Sequence, residues 1–138
     1  MSTIKTYNNI FRSDKLEAKF QEVDNTIYTE EVAITEANII AMYTTPVEVV
    51  AAKGAGTALQ FVDAVLIYDY DTAAYTGGGD ITLEYSGGAA VSSTIAAANG
   101  FGAAGDKVFS MANLDAAGGY TMPVNTGIDI TCATGVFV

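Results

Sequence analysis

The sequence predicts a mainly β fold: an antiparallel β-sandwich or jelly roll with an extended N-terminal arm and one or two short helices. Three observations carry that expectation. All fourteen glycines fall between Gly54 and Gly135, where they punctuate short apolar runs. Those runs alternate with period 2, as in Ile81, Leu83 and Tyr85 against Thr82 and Glu84, the pattern of a strand buried on one side. Strands do not alternate with helices of crossover length, as a parallel sheet would require. A length of 138 residues, half of them apolar, suits one packed core.

The organisation expected is an arm over residues 1–31 and a β-domain over 32–138. In the arm, Leu16, Phe20 and Val23 recur at i, i+4 and i+7, one helical stripe with Ser13 or Asp14 as N-cap. So short a helix does not hold alone in water and has to dock on something. Tyr7, Ile10, Phe11, Ile27 and Tyr28 add apolar anchors, so the partner interface expected is Tyr7, Ile10, Phe11, Leu16, Phe20, Val23, Ile27 and Tyr28. The competing reading is a frayed terminus.

A second helix is expected from Glu36 to Tyr43, capped by Thr35, with Ile39, Ile40 and Tyr43 on one face and Pro46 as its stop. Val47 to Val50 reads as a strand, followed by a turn at Lys53-Gly54-Ala55-Gly56. Leu59 to Tyr70 reads as the main strand, bulged near Asp63. Asp71 to Gly79 is a loop, Ile81 to Tyr85 a strand, Ser86-Gly87-Gly88 a turn, and Val91 to Ile95 the antiparallel return. Ala96 to Gly105 is small and flexible, with Thr94 to Ala98 open to a helical reading. Val108 to Met111, Ile128 to Thr131 and Val136 to Val138 supply the remaining strands.

Composition excludes much chemistry. The chain has no histidine, which removes Ser-His-Asp triads, Cys-His pairs and histidine-bearing zinc sites. A single cysteine, Cys132, removes an internal disulfide framework and reads as a small buried hydrophobe. The net charge of −10 argues against nucleic acid, which needs a basic footprint. Charge is also unevenly spread. Lys5, Arg12, Lys15 and Lys19 lie in the first twenty residues, whereas from Val32 onward Lys53 and Lys107 face ten acids. Met1 to Asn9 lacks the apolar stretch of a signal peptide, and no apolar run approaches the roughly 18 residues that span a bilayer.

Candidate sites are weak. Asp69, Asp71 and Asp80 bracket Gly77-Gly78-Gly79, but the spacing is not that of a calcium loop, and solvated acids at a strand end are the plainer account. The triple glycine is followed by Asp80 rather than a lysine and a helix, so it fails as a phosphate cradle. Tyr68, Tyr70, Tyr75 and Tyr85 fit either core packing or contact with a carbohydrate or protein. Lys53 and Lys107 read as isolated solubilising charges. No catalytic, cofactor-binding or metal residue is expected.

The run from Thr45-Pro46-Val47-Glu48-Val49-Val50 through Lys53-Gly54-Ala55-Gly56 to Tyr68–Ile81 resembles small structural proteins of tailed-phage virions. The resemblance covers roughly Thr35 to Val91, with Asp71 to Asp80 its most specific part. It implies a capsid cement or decoration protein, made in the host cytoplasm and seated on the virion surface. Its implied partners are the major capsid protein and further copies of itself as homodimer or homotrimer, with no nucleic acid, membrane, cofactor or enzymatic activity. The resemblance implies a further strand past Val136-Phe137-Val138, so an arm from a neighbouring copy is expected to complete the edge. The rival is a tail, neck or head-fibre protein that binds a host surface or carbohydrate through the loop Tyr75 to Asp80.

Overall fold

The computed structural model describes residues 27, 29–114 and 121–138. Among the described residues the elements are one helix, α1 (Glu36–Ala41), and five strands: β1 (Val47–Val50), β2 (Asp63–Tyr68), β3 (Ile81–Tyr85), β4 (Lys107–Ala112) and β5 (Ile128–Cys132). The fold is mainly β, with two antiparallel sheets.

The short helix is fixed at its start. The Thr35 hydroxyl accepts the Asn38 N–H at 3.2 Å, and Asn38 Oδ1 accepts the Thr35 N–H at 3.0 Å, a reciprocal capping box. Glu36 occupies the first turn, where a negative charge is favoured. Six residues do not hold as a helix on propensity alone. Ile39 and Met42 are buried in the core, and that packing stabilises the element.

One sheet has the order β1-β5-β3, and the other pairs β2 with β4. Between them runs the segment 90–95. Val91 N donates to Leu83 O at 2.8 Å, and Ile95 and Ile81 exchange both backbone bonds. On its other side, Ser93 N donates to Ala112 O and Leu114 N to Val91 O, each at 2.8 Å. Backbone pairing therefore passes from β3 through this segment to the end of β4. Ser92 is buried within it, its hydroxyl accepting the Leu83 N–H and donating to Ser93 O, both at 2.9 Å.

Both sheets bury their inner faces in one cluster. Ile81, Leu83, Tyr85, Ile128 and Ile130 come from one sheet, and Leu66, Tyr68 and Met111 from the other. An edge-to-face aromatic group extends this core: Phe101 packs on Tyr68 at 5.6 Å and on Phe137 at 5.5 Å, and Tyr75 meets both phenylalanines at 6.3–6.4 Å. The loop after β2 is pinned to the chain's last residues. Thr76 and Val138 exchange backbone bonds of 2.8 and 2.9 Å, and Gly78 N donates to Val136 O at 2.9 Å. Gly78 has φ +64°, and a Cβ there would collide with the Phe137 ring, so glycine is required twice over.

Several expectations need correction. The main strand begins at Asp63 rather than Leu59. Before it the chain turns inward, where Phe61 O accepts from Asn113 Nδ2 and Leu59 O accepts from Tyr85 Oη at 2.6 Å. β2 and β4 pair residue for residue, so no bulge lies near Asp63. The register shift falls in β1, between Glu48 and Val50. Thr94 to Ala98 is not helical, because Ile95 pairs with Ile81 and the chain then turns. α1 stops at Ala41, before Pro46 can act, in a turn where the Thr44 and Thr45 N–H groups both donate to Ala41 O. Val136 to Val138 forms a bridge to the loop instead of a full strand.

Candidate functional site

The outward faces of the two sheets are the parts of the described surface that carry a distinct chemistry. On the three-stranded sheet, Glu48 lies opposite Asp129, and Asp129 lies opposite Glu84. Directly paired residues share a face, so three carboxylates cross the sheet in one row. Glu84 is half-buried, and its carboxyl is pushed above the ordinary range first by that burial and then by the Asp129 charge. Asp129 Oδ1 accepts the Ser86 hydroxyl at 2.9 Å. Among the described residues no three His, Cys, Asp or Glu side chains are arranged to hold a metal ion, so this row is a strip of negative potential and not a cage.

The β2–β4 ribbon presents the opposite character. Its register places Val65 opposite Ser110 and Ile67 opposite Val108. Leu66, Tyr68 and Met111 point into the core, which turns Val65, Ile67 and Val108 to solvent at 63, 72 and 68% exposure. Val62, just before β2, is also 63% exposed. A scattered exposed aliphatic is ordinary, but adjacent ones on one face of a ribbon form a surface suited to a partner. Asp63 and Asp69, both exposed, stand at the two ends of this patch. Near its Asp69 end, Asp106 Oδ1 accepts the Tyr70 N–H at 2.9 Å.

Of the expected interface residues, Tyr7, Ile10, Phe11, Leu16, Phe20, Val23 and Tyr28 lie outside the described residues. Ile27 is described and is 85% exposed. Past it, Glu30 meets Lys53 at 2.9 Å, so Lys53 is not the isolated charge expected but ties Glu30 to the turn that follows β1. Asp80 spends one carboxylate oxygen on the Ala97 N–H at 3.1 Å, bracing the turn after Ile95. Tyr68 and Tyr85 are buried core residues, and Tyr70 and Tyr75 are half-buried. Burial raises the Tyr68 and Tyr75 hydroxyl pKa values, helped at Tyr68 by Tyr70 and at Tyr75 by Glu36. Tyr75 packs on Phe101 and Phe137, which leaves its ring a structural part of the loop. Cys132 is a free, buried thiol on β5, as expected.

Sequence reasoning missed both faces. The polar positions of β3 and β5 were legible, but which acid faces which is set by register. No family model matches the chain, and neither a curated protein nor a solved structure matches it. No helix among the described residues is long and apolar enough to cross a membrane.

Proposed function

We propose that this protein is a cement or decoration protein of a tailed-phage capsid: an antiparallel sandwich of the jelly-roll kind, seated on the outer shell. It binds the major capsid protein and its own copies as a dimer or trimer. It acts by contact alone, with no cofactor and no covalent step. The observation that carries this reading is the exposed aliphatic patch of Val65, Ile67 and Val108 on an acidic body. Burying such surface contributes about 25 cal/mol per Å² before ordering costs, and repetition over a shell multiplies weak contacts. Support also comes from the stretch that resembles virion proteins, which coincides with β1, the turn at Gly54 and Gly56, β2 and the pinned loop.

The mechanism is mechanical. Shell subunits bridged by this protein separate only when the added interface breaks as well. The test is to mix the purified protein with undecorated shells, then measure occupancy by electron microscopy and shell survival on heating. Binding at every capsomer with raised heat resistance is expected. Binding confined to a vertex or tail ring would replace this reading with a neck or tail role, and no binding would overturn it.

A further inference from the structure

We infer that the open edge of β2 takes up an extended strand from a partner, one that carries alternate aliphatic residues between two basic ones. Backbone pairing runs from β1 through β5, β3, the segment 90–95 and β4 to β2, so β1 and β2 stand at its two margins. Among the described residues β2 pairs with β4 alone, which leaves one row of its N–H and C=O groups without a strand beside it. Such a row is a template for another strand, and proteins blunt it with proline, charge, bulges or short length. β1 has all of these. It is four residues long, follows Pro46, carries Glu48 and shifts register between Glu48 and Val50. Between Asp63 and Tyr68, β2 has none of them. It is six residues long, pairs without a bulge, and presents Val65 and Ile67 to solvent.

Charge identifies the occupant. Side chains alternate along a strand, so Asp63, Val65, Ile67 and, just past the end of β2, Asp69 follow one another on the outer side. Each of them is exposed. Directly opposite residues share a face, so a strand laid along this edge meets Asp63 and Asp69 with its two ends and the aliphatics with alternate residues between. Lys or Arg at the ends, with valine, isoleucine or leucine in the middle, answers both the carboxylates and the apolar stretch. Lys107 does not supply that charge from the open side, since it lies on β4, opposite Tyr68. A second copy fits poorly. The antiparallel register that overlaps most of two β2 strands sets Val65 against Ile67 of the second copy. It also sets Asp63 against Asp69 of that copy, in chains of net charge −10. The inference rests on the ribbon being a contact surface, as the function proposed above requires, and adds the edge used and the conformation and charge of what it meets.

The test uses the purified full chain and a synthetic peptide, Lys-Thr-Val-Thr-Val-Thr-Lys with blocked termini, which reads the same in either direction. Amide chemical shifts of the isotope-labelled chain are followed as the peptide is added. Shifts confined to residues 62–70 and to β4 behind them are expected, with slower hydrogen exchange in β2. Asp63→Asn/Asp69→Asn is expected to weaken binding about threefold to tenfold at low salt. The same peptide ending in glutamate is expected not to bind. Nor is the peptide N-methylated at its central residues, which keeps the side chains and loses the donors. No shifts with the parent peptide, shifts centred on β1, or undiminished binding of either altered peptide would each overturn the inference. So would β2 shifts that appear on concentrating the chain alone, which would make a second copy the occupant. No shell enters this assay, so its failure leaves the capsid reading to the decoration test, and failure of that test leaves the strand site standing.

Discussion

At the middle of the three-stranded sheet the outward side chains are Glu48, Asp129 and Glu84, whereas on the β2–β4 ribbon they are Val65, Ile67 and Val108. Both surfaces arise from the same pleat, with inward residues in one core. The first is wet but repulsive, since like charges directly opposite destabilise a sheet. The second carries its exposed acids, Asp63 and Asp69, only at its ends, and its middle has none of the charges that normally protect an exposed ribbon. The lesson is that a sheet's outer face reveals its use by what it tolerates. Facing carboxylates oppose the approach of a like-charged surface, and adjacent exposed aliphatics gain free energy when covered.

That contrast is between faces of one cooperative body only if the core is shared. Phe137→Ala, beneath the aromatic group, should therefore cost about 3–5 kcal/mol and lower the unfolding of both sheets together, as read by thermal melting with amide exchange. Separate melting of the β2–β4 ribbon would break the comparison into two units. Tyr85→Phe removes the hydroxyl that Leu59 O accepts where the chain leads toward β2. It should cost about 1–2 kcal/mol in chemical denaturation, and a change near zero would unlink the two regions there.

On the acidic face, Glu84→Gln should stabilise the protein at neutral pH by a few tenths to about 1 kcal/mol. The sign follows from the raised carboxyl. The folded state holds the Glu84 proton more tightly than the unfolded state, so the penalty is full above the folded value. It is relieved as pH falls through that value toward the ordinary 4.5. The advantage of the glutamine should accordingly shrink between neutrality and mild acid, measured as the difference in Tm. On the aliphatic face, Val65→Thr should change stability by no more than about 0.5 kcal/mol, because that side chain already faces water. A large loss in urea unfolding would mean that the chain covers Val65 more firmly than its exposure implies.

Much of the fold was legible because local chemistry governs it. The alternation at Ile81–Tyr85 specifies a strand with one buried face, Thr35 specifies a helix start, and Gly54 and Gly56 take positive φ in the expected turn. The misplacements share one cause. At Leu59 and Phe61 the apolar spacing matched a strand, but Leu59 O and Phe61 O answer to Tyr85 and Asn113, partners far along the chain. The bulge went to β1 instead of β2 because a register shift belongs to a pair of strands, not to one. Of the candidate interface, Ile27 alone could be compared with the described structure.

By itself the sequence determined that this chain is mainly β, acidic after its first residues, and without histidine chemistry, because periodicity, charge and residue type are local properties. Tertiary structure alone decided that three acids from distant strands share a row, that valine and isoleucine of β2 meet Val108 on an open face, and that the last residues pin a loop through Gly78 and Phe137. Those outcomes depend on register and long-range packing, where a shift of one residue would turn every side chain to the other face.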